Sequence, residues 1–258
     1  MPKINKDSTL NITLVGVGLC LLCSAIISFI AIQLRSVQEN NVVLDMQKKI
    51  VSSADLEKVY GSVENAMSNI KTLIIDLDKG EIVDINPESY ELTKELREDG
   101  KYKFLSAEED IASIKKREKY SKIYIEYKDN EINTLILPVR GYGLWGILYG
   151  YLAIEGDFNT VAGLEFYEHK ETPGLGAEID NPKWKALWKG KKIYQENGEV
   201  SLKVIKGSVL ETSNNFSYEI DGLSGATLTC NGVSNLIAYW MGIDGFLNFI
   251  NNLQKIDV

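Results

Sequence analysis

The chain has 258 residues, and its 36 Asp and Glu against 28 Lys and Arg give a net charge of −8. So acidic a surface repels phosphate backbones, which excludes ordinary nucleic-acid binding. One histidine excludes a multi-histidine metal site, and three cysteines, two of them inside one apolar run, exclude a disulfide within the soluble part.

From Ser8 to Leu34 there are 27 residues without a formal charge. The core of this run, Leu14 to Ile32, is long enough to cross a bilayer, which needs about 20 residues. A cleaved signal peptide is the competing reading. Its apolar region runs about 7–15 residues and ends in a small-x-small site, and Phe29-Ile30-Ala31-Ile32-Gln33 offers none. The run therefore predicts one uncleaved transmembrane helix. Lys3 and Lys6 before it nearly balance Arg35, Lys48 and Lys49 after it, so charge bias leans only slightly towards an inside N-terminus. Cys20 and Cys23 fall within the helix without other ligands and read as helix packing. Leu19 and Leu22, standing where a small residue is required, rule out a lipoprotein box.

Beyond the anchor, Val42, Val43, Leu44, Met46, Ile50 and Val51 space roughly as one helical face. This predicts a juxtamembrane helix docked on the domain, with a polar stalk free of contacts as the alternative. Thr72–Leu77 reads as a strand ending in the turn Asp78-Lys79-Gly80. Lys122–Tyr127 and Thr134–Val139, separated by Lys128-Asp129-Asn130, read as a hairpin. Ile147–Ile154 and Gly163–Tyr167 continue the strands. Polar stretches around 87–118 and 181–190 read as helical, as does Val233–Trp240. The fold class that follows is mixed α/β (α+β): a soluble domain on a largely antiparallel sheet, preceded by one N-terminal transmembrane helix. There is no internal repeat and no low-complexity segment.

Gly141-Tyr142-Gly143-Leu144-Trp145-Gly146 matches the dinucleotide pattern G-x-G-x-x-G. The context rejects that reading, because a second strand follows where a helix should open, and Pro138 interrupts the strand before it. A glycine-rich turn between strands is the default. His169 has no partners at triad or metal spacing and reads as a hydrogen-bonded or exposed side chain beside a strand end. Glu171-Thr172-Pro173-Gly174-Leu175-Gly176 forms a tight, demanding loop, for which a plain turn is the alternative. Trp184 and Trp188, four apart, share one helical face and read as core. Asp221-Gly222-Leu223-Ser224-Gly225-Ala226-Thr227-Leu228-Thr229 combines a slim backbone with three hydroxyls and contains no base. Without a base its Ser and Thr are poor nucleophiles, which argues against a hydrolase using Ser224. The segment reads as a landing site for a bulky group.

Asp-Gly-Leu-Ser-Gly-Ala-Thr resembles the flavinylation motif of bacterial redox proteins, whose final Thr is esterified to the phosphate of FMN. Together with the region from Arg140 to Gly190, it is similar to the C-type subunit family of sodium-translocating NADH:quinone reductases over nearly the full chain. The G-type subunit of the Rnf electron-transport complex shares both motifs but tends to be shorter. The longer segment before Arg140 and the Asn181-Pro182-Lys183-Trp184 run favour the sodium pump.

The resemblance implies FMN held covalently by a phosphoester on Thr227, within a motif that includes Ser224, Gly225 and Ala226. Loop donors and side chains at Trp145, Glu171, Thr172, Leu175 and Gly176 are the implied ring contacts. It implies an electron carrier that is not catalytic alone and works inside a sodium-pumping NADH:ubiquinone reductase. Electrons arrive from the iron–sulfur membrane pair of subunits and leave to a second FMN subunit, while NADH and quinone sites lie on other subunits. A separate flavin transferase, with FAD as donor, makes the bond. The implied location is the bacterial inner membrane, single-pass, with the soluble domain on the periplasmic side. The corresponding division is 1–35 for cytoplasmic N-terminus and transmembrane helix, 36–60 for a juxtamembrane helical linker, and 61–258 for the FMN-binding domain.

Residues 36–258 carry 25 Lys and Arg against 35 Asp and Glu, a net charge of −10. Free FMN, with roughly two negative charges like other phosphate monoesters, binds such a domain poorly, and a phosphodiester, with a single charge, cannot dissociate. The alternatives are the Rnf-type protein and a membrane-tethered ligand-binding or sensor domain without redox chemistry.

Overall fold

The computed structural model describes residues 8–256, so Lys3 and Lys6 lie outside the described residues. The chain divides into two compact units, one up to Met46 and one from Gln47 onward. The first unit is a helix, α1 (Thr9–Ser53), 45 residues long. At 1.5 Å per residue it extends about 68 Å, roughly twice the hydrocarbon thickness of a bilayer. Its most apolar stretch has a mean hydropathy of 2.6 and nothing among the described residues buries it. Leu14, Leu21, Ile27, Phe29 and Ile32 all stand exposed, which suits a lipid-facing surface.

The second unit holds the last turns of α1, then α2 (Leu56–Tyr60), α3 (Val63–Ser68), β1 (Ile70–Asp76), β2 (Glu81–Val83), α4 (Leu92–Glu95), β3 (Tyr102–Phe104) and β4 (Lys116–Glu118). There follow β5 (Tyr120–Lys128), β6 (Glu131–Tyr142), β7 (Ile147–Glu155), β8 (Val161–Glu168), α5 (Pro182–Ala186), β9 (Lys203–Val204), β10 (Glu219–Ile220), α6 (Thr227–Trp240) and α7 (Leu247–Ile256). The main sheet runs β2-β1-β5-β6-β7-β8, antiparallel at every pairing. Its two central strands are buried on both faces, which explains the unbroken apolar run Leu135-Ile136-Leu137. Leu135, Leu137, Leu152 and Ile154 face the main core with Val233, Leu236 and Trp240 of α6 and Phe249 and Ile250 of α7. Ile136, Tyr124, Tyr151 and Ala153 face a second core closed by Ile50, Val51, Leu56 and Ala66.

Residues 36–53 are helical as the last part of α1, which continues unbroken to Ser53. Of the apolar face expected to dock, Ile50 and Val51 are buried, while Val42, Val43 and Leu44 are exposed. Two expectations need correction. Residues 87–118 are not a long helix. Asp110 turns its carboxylate onto the backbone N–H groups of Ile114 and Lys115, at 2.7 and 2.8 Å, and Gly100, Ser113 and Lys115 take positive φ. Such local side-chain bonds compete with the helix and win here. Pro138 does not end its strand either. The β5–β6 register stops at Tyr124 opposite Ile136, so beyond that point β6 pairs only with β7 and the missing N–H of proline breaks no ladder.

Two polar clasps fix this frame. The buried Glu165 of β8 accepts Lys49 at 2.6 Å and Lys185 of α5 at 2.6 and 2.8 Å. It thereby ties the end of α1 to the element that follows the 171–180 loop. At Gly163, a Cβ would stand 2.4 Å from the Ser53 carbonyl oxygen, so the same contact needs glycine.

The β7–β8 turn is stitched by Asp157. Burial pushes its carboxyl up, but hydrogen bonds from Thr160, Asn159 and Lys192 outweigh that and hold it at about 2. A depressed carboxyl pKa adds stability above the ordinary value of 3.8, and that addition is lost as the pH falls towards 2. Asp157→Asn is therefore expected to lower unfolding stability at pH 7, with the gap from the parent closing between about pH 4 and about pH 2. Denaturant titrations across this range measure it.

Candidate functional site

Thr227 is the first residue of α6 and its side chain is exposed. Ala226 occupies the capping position and supplies no side-chain acceptor. The first N–H groups of a helix lack intrahelical partners and carry partial positive charge, so this end favours an anion. The hydroxyl of Thr227 thus stands where a phosphate is best accommodated.

The residues before it are riveted in place. The Asp221 carbonyl accepts Trp184 Nε1 at 2.8 Å and its carboxylate accepts the Val209 N–H at 2.8 Å. The Gly222 N–H donates to the Gly207 carbonyl at 2.7 Å, and a Cβ on Gly222 would meet the Ile205 oxygen at 2.2 Å. From there the chain turns outward. Gly225 takes φ of +74°, and a Cβ there would lie 2.9 Å from Leu175 Cδ2. Ser224, Gly225 and Leu228 are exposed with Thr227, whereas Ala226 and Thr229 are buried.

Thr229 leads to the residue that assembles the site. Its hydroxyl donates to Glu171 Oε2 at 2.5 Å, while Glu171 Oε1 accepts the backbone N–H groups of Leu144 and Trp145, each at 3.0 Å. One buried carboxylate therefore joins three segments: the 143–146 turn, the 171–176 loop and the first turn of α6. Two glycines make room for it. A Cβ at Gly143 would stand 2.7 Å from Glu171 Oε1, and one at Gly176 would stand 2.6 Å from Oε2.

His169 holds the base of the loop, its Nε2 2.8 Å from Asp180 Oδ2 and its Nδ1 accepting the Glu171 N–H at 3.2 Å. Within the loop, the Thr172 carbonyl accepts the N–H groups of Leu175 and Ala177, both at 3.1 Å. The donors of Glu171, Leu175 and Ala177 are thus engaged inside the protein.

On the outer side of this clasp, Trp145, Leu175 and Leu228 are 62%, 45% and 58% exposed. Three apolar side chains on three tied segments, beside an uncapped helix terminus, fit a ligand with a planar apolar body and an anionic tail. Cys230 is buried beside the motif. Burial pushes its thiol up, and its sulfur accepts the Leu223 N–H at 3.3 Å.

Of the residues singled out from sequence, Trp145, Glu171, Gly176 and Thr227 are brought together through Glu171 and α6. Leu175 reaches Gly225, and Thr172 is exposed on the same loop. Sequence reasoning does not mark Thr229, Gly143, His169 and Trp184 as site-forming. Their signal is an acid one residue before Thr-Pro-Gly with glycines on both sides in space, which spacing along the chain does not display.

Residues 143–242 match the model of the FMN-binding domain. The C-type subunit of the Na(+)-translocating NADH-quinone reductase from Pseudomonas aeruginosa is 46% identical over 256 residues, covering 97% of this chain and 98% of that protein. Its counterpart from Vibrio vulnificus is 39% identical over 251 residues, covering 97% of each. Among solved structures, NqrC from Shewanella oneidensis is 32% identical, with a TM-score of 0.74 over 81% of this chain and 96% of that one. The corresponding structure from Parabacteroides distasonis, also of a C-type Na(+)-translocating NADH-quinone reductase subunit, is 27% identical, with a TM-score of 0.61 over 84% and 96%.

The contact between α6 and the turn yields a test. A Cβ at Gly232, inside α6, would lie 2.3 Å from the Tyr142 carbonyl oxygen. In an ordinary helix Gly→Ala stabilises by about 1 kcal/mol. Here overpacking is expected to reverse the sign, with Gly232→Ala costing about 1–3 kcal/mol, read as a lowered melting temperature of the purified chain.

Proposed function

The chain belongs to the NqrC family, the C-type subunits of Na(+)-translocating NADH-quinone reductases, and from that premise we propose that Thr227 carries FMN through a phosphoester. It is an electron-carrier subunit of the membrane sodium-pumping complex. When bound, FMN supplies the one-electron chemistry. The observation that carries the Thr227 assignment is its exposed hydroxyl on the first turn of a helix without a side-chain cap. A phosphodiester at that end gains the N–H groups and the helix dipole.

The chain's own residues bind and orient. Ser224 and Gly225 present the attachment turn, with Gly225 in the left-handed region that a Cβ disfavours. Ala226 fills the cap position without competing for the helix N–H groups. Trp145, Leu175 and Leu228 offer apolar surface to the ring, and Thr172 offers a hydroxyl beside it. Glu171 and Gly176 hold these surfaces in register. No base adjoins Thr227 in its segment, so esterification is assigned to a separate flavin transferase. The acidic domain, −10 over residues 36–258, makes a covalent tether preferable to reversible binding of a dianion.

We assign the rest of the arrangement on the same family footing. Residues 1–35 form the cytoplasmic N-terminus and the single membrane pass, 36–60 the link, and 61–258 the flavin-bearing domain on the periplasmic side of the bacterial inner membrane. The iron–sulfur membrane pair delivers electrons to this protein, and a second FMN-bearing subunit accepts them.

The chain produced with a flavin transferase is expected to give a fluorescent band under ultraviolet light after denaturing electrophoresis. Thr227→Val is expected to lose the band with an unchanged melting curve. Fluorescence persisting in the variant would assign the attachment elsewhere.

A further inference from the structure

The geometry points to Glu171 as the residue that sets the redox potential of this electron carrier, through a fixed negative charge buried where the 143–146 turn, the 171–176 loop and α6 meet. This rests on the assignment of flavin to Thr227 and adds a role for a group that need not touch the ring. Glu171 is 5% exposed, and every partner within reach of its carboxylate can donate: two backbone N–H groups at 3.0 Å and the Thr229 hydroxyl at 2.5 Å. An ionised carboxylate, which is acceptor-only, is the form that satisfies this set. The nearest titratable neighbours in the chain are Glu168, His169 and Lys170. His169 spends its ring on Asp180 and on the Glu171 N–H. Lys170 lays its stem along Gly146, and no salt bridge joins its ammonium to Glu171 among the described residues.

Placement makes the charge consequential. Thr229, which holds one oxygen, lies two residues after Thr227 in the same helical turn, and Trp145, whose backbone N–H holds the other, keeps its side chain exposed. Gly143 and Gly176 exclude any larger group that would push the carboxylate away, since a Cβ at either would fall within 2.7 Å of its oxygens. A salt bridge would cancel the charge, but here neutral dipoles satisfy it and its field persists in a dry environment. Adding an electron to the flavin then places negative charge near negative charge, which holds the potential low.

The test uses the full chain flavinylated by the transferase, with the midpoint potential measured by spectroelectrochemistry. Glu171→Gln keeps the volume and removes the charge, and its potential is expected to move positive of the parent. Glu171→Asp keeps the charge and shortens the reach, and its potential is expected to stay nearer the parent than that of Glu171→Gln. An unchanged or more negative potential in Glu171→Gln, or equal shifts in both variants, overturns the proposal. Should neither variant fold, carbon-13 resonance of the Glu171 carboxyl in the unmutated chain decides it. A carboxylate shift at pH 7 is expected, and a protonated carboxyl overturns the idea. A parent chain that carries no flavin at Thr227 contradicts the attachment, which is a separate result from an attached flavin whose potential ignores Glu171.

Discussion

The site exists because one buried carboxylate is shared by three pieces of chain that are far apart in sequence. Glu171 takes the N–H groups of the 143–146 turn and the hydroxyl of Thr229, and so ties that turn to the start of α6. Burying an ion is costly unless its bonds are made. The arrangement is therefore stable only when the turn, the loop and the helix are all in place, and it is cooperative for that reason. The glycines at 143, 176 and 232 are the steric counterpart, each meeting backbone or carboxylate atoms where a methyl group would stand.

The frame around this clasp has a matching logic. α6 is pinned at its far end by Trp240, whose Nε1 donates to the Arg140 carbonyl at 2.7 Å, while Arg140 pairs with the buried Glu118 at 2.6 Å. Its near end is pinned by Trp184 through Asp221. The helix that presents Thr227 is thus immobilised at both ends against the sheet. Thr227 and Leu228 of its first turn are left open to solvent. The proposed attachment at Thr227 would draw on such a rigid mount, because electron transfer depends on where a flavin ring is held.

Much of this was legible in the sequence. Alternating and continuous apolar runs marked β5, β6, β7 and β8. The charge-free run marked the membrane helix. What sequence did not display was contact between remote segments. Thr229 looked like one more hydroxyl of the motif, yet it is buried and binds Glu171. Pro138 looked like a strand breaker, yet it sits where β6 has lost one neighbour. The 87–118 stretch looked helical by polarity, but Asp110 and three residues of positive φ divert the backbone into turns. For Thr229 and Pro138 tertiary context overrode a local preference, whereas at 87–118 local side-chain bonds did, and no periodicity could announce either.

The account depends most on a single covalent bond, and peptide mass mapping of the native membrane complex interrogates it directly. Digestion is predicted to yield the peptide spanning Asp221 to Thr229 heavier by FMN less one water, with fragmentation placing the adduct on Thr227. Recovery of that peptide unmodified, or with the adduct on another residue, would contradict the account.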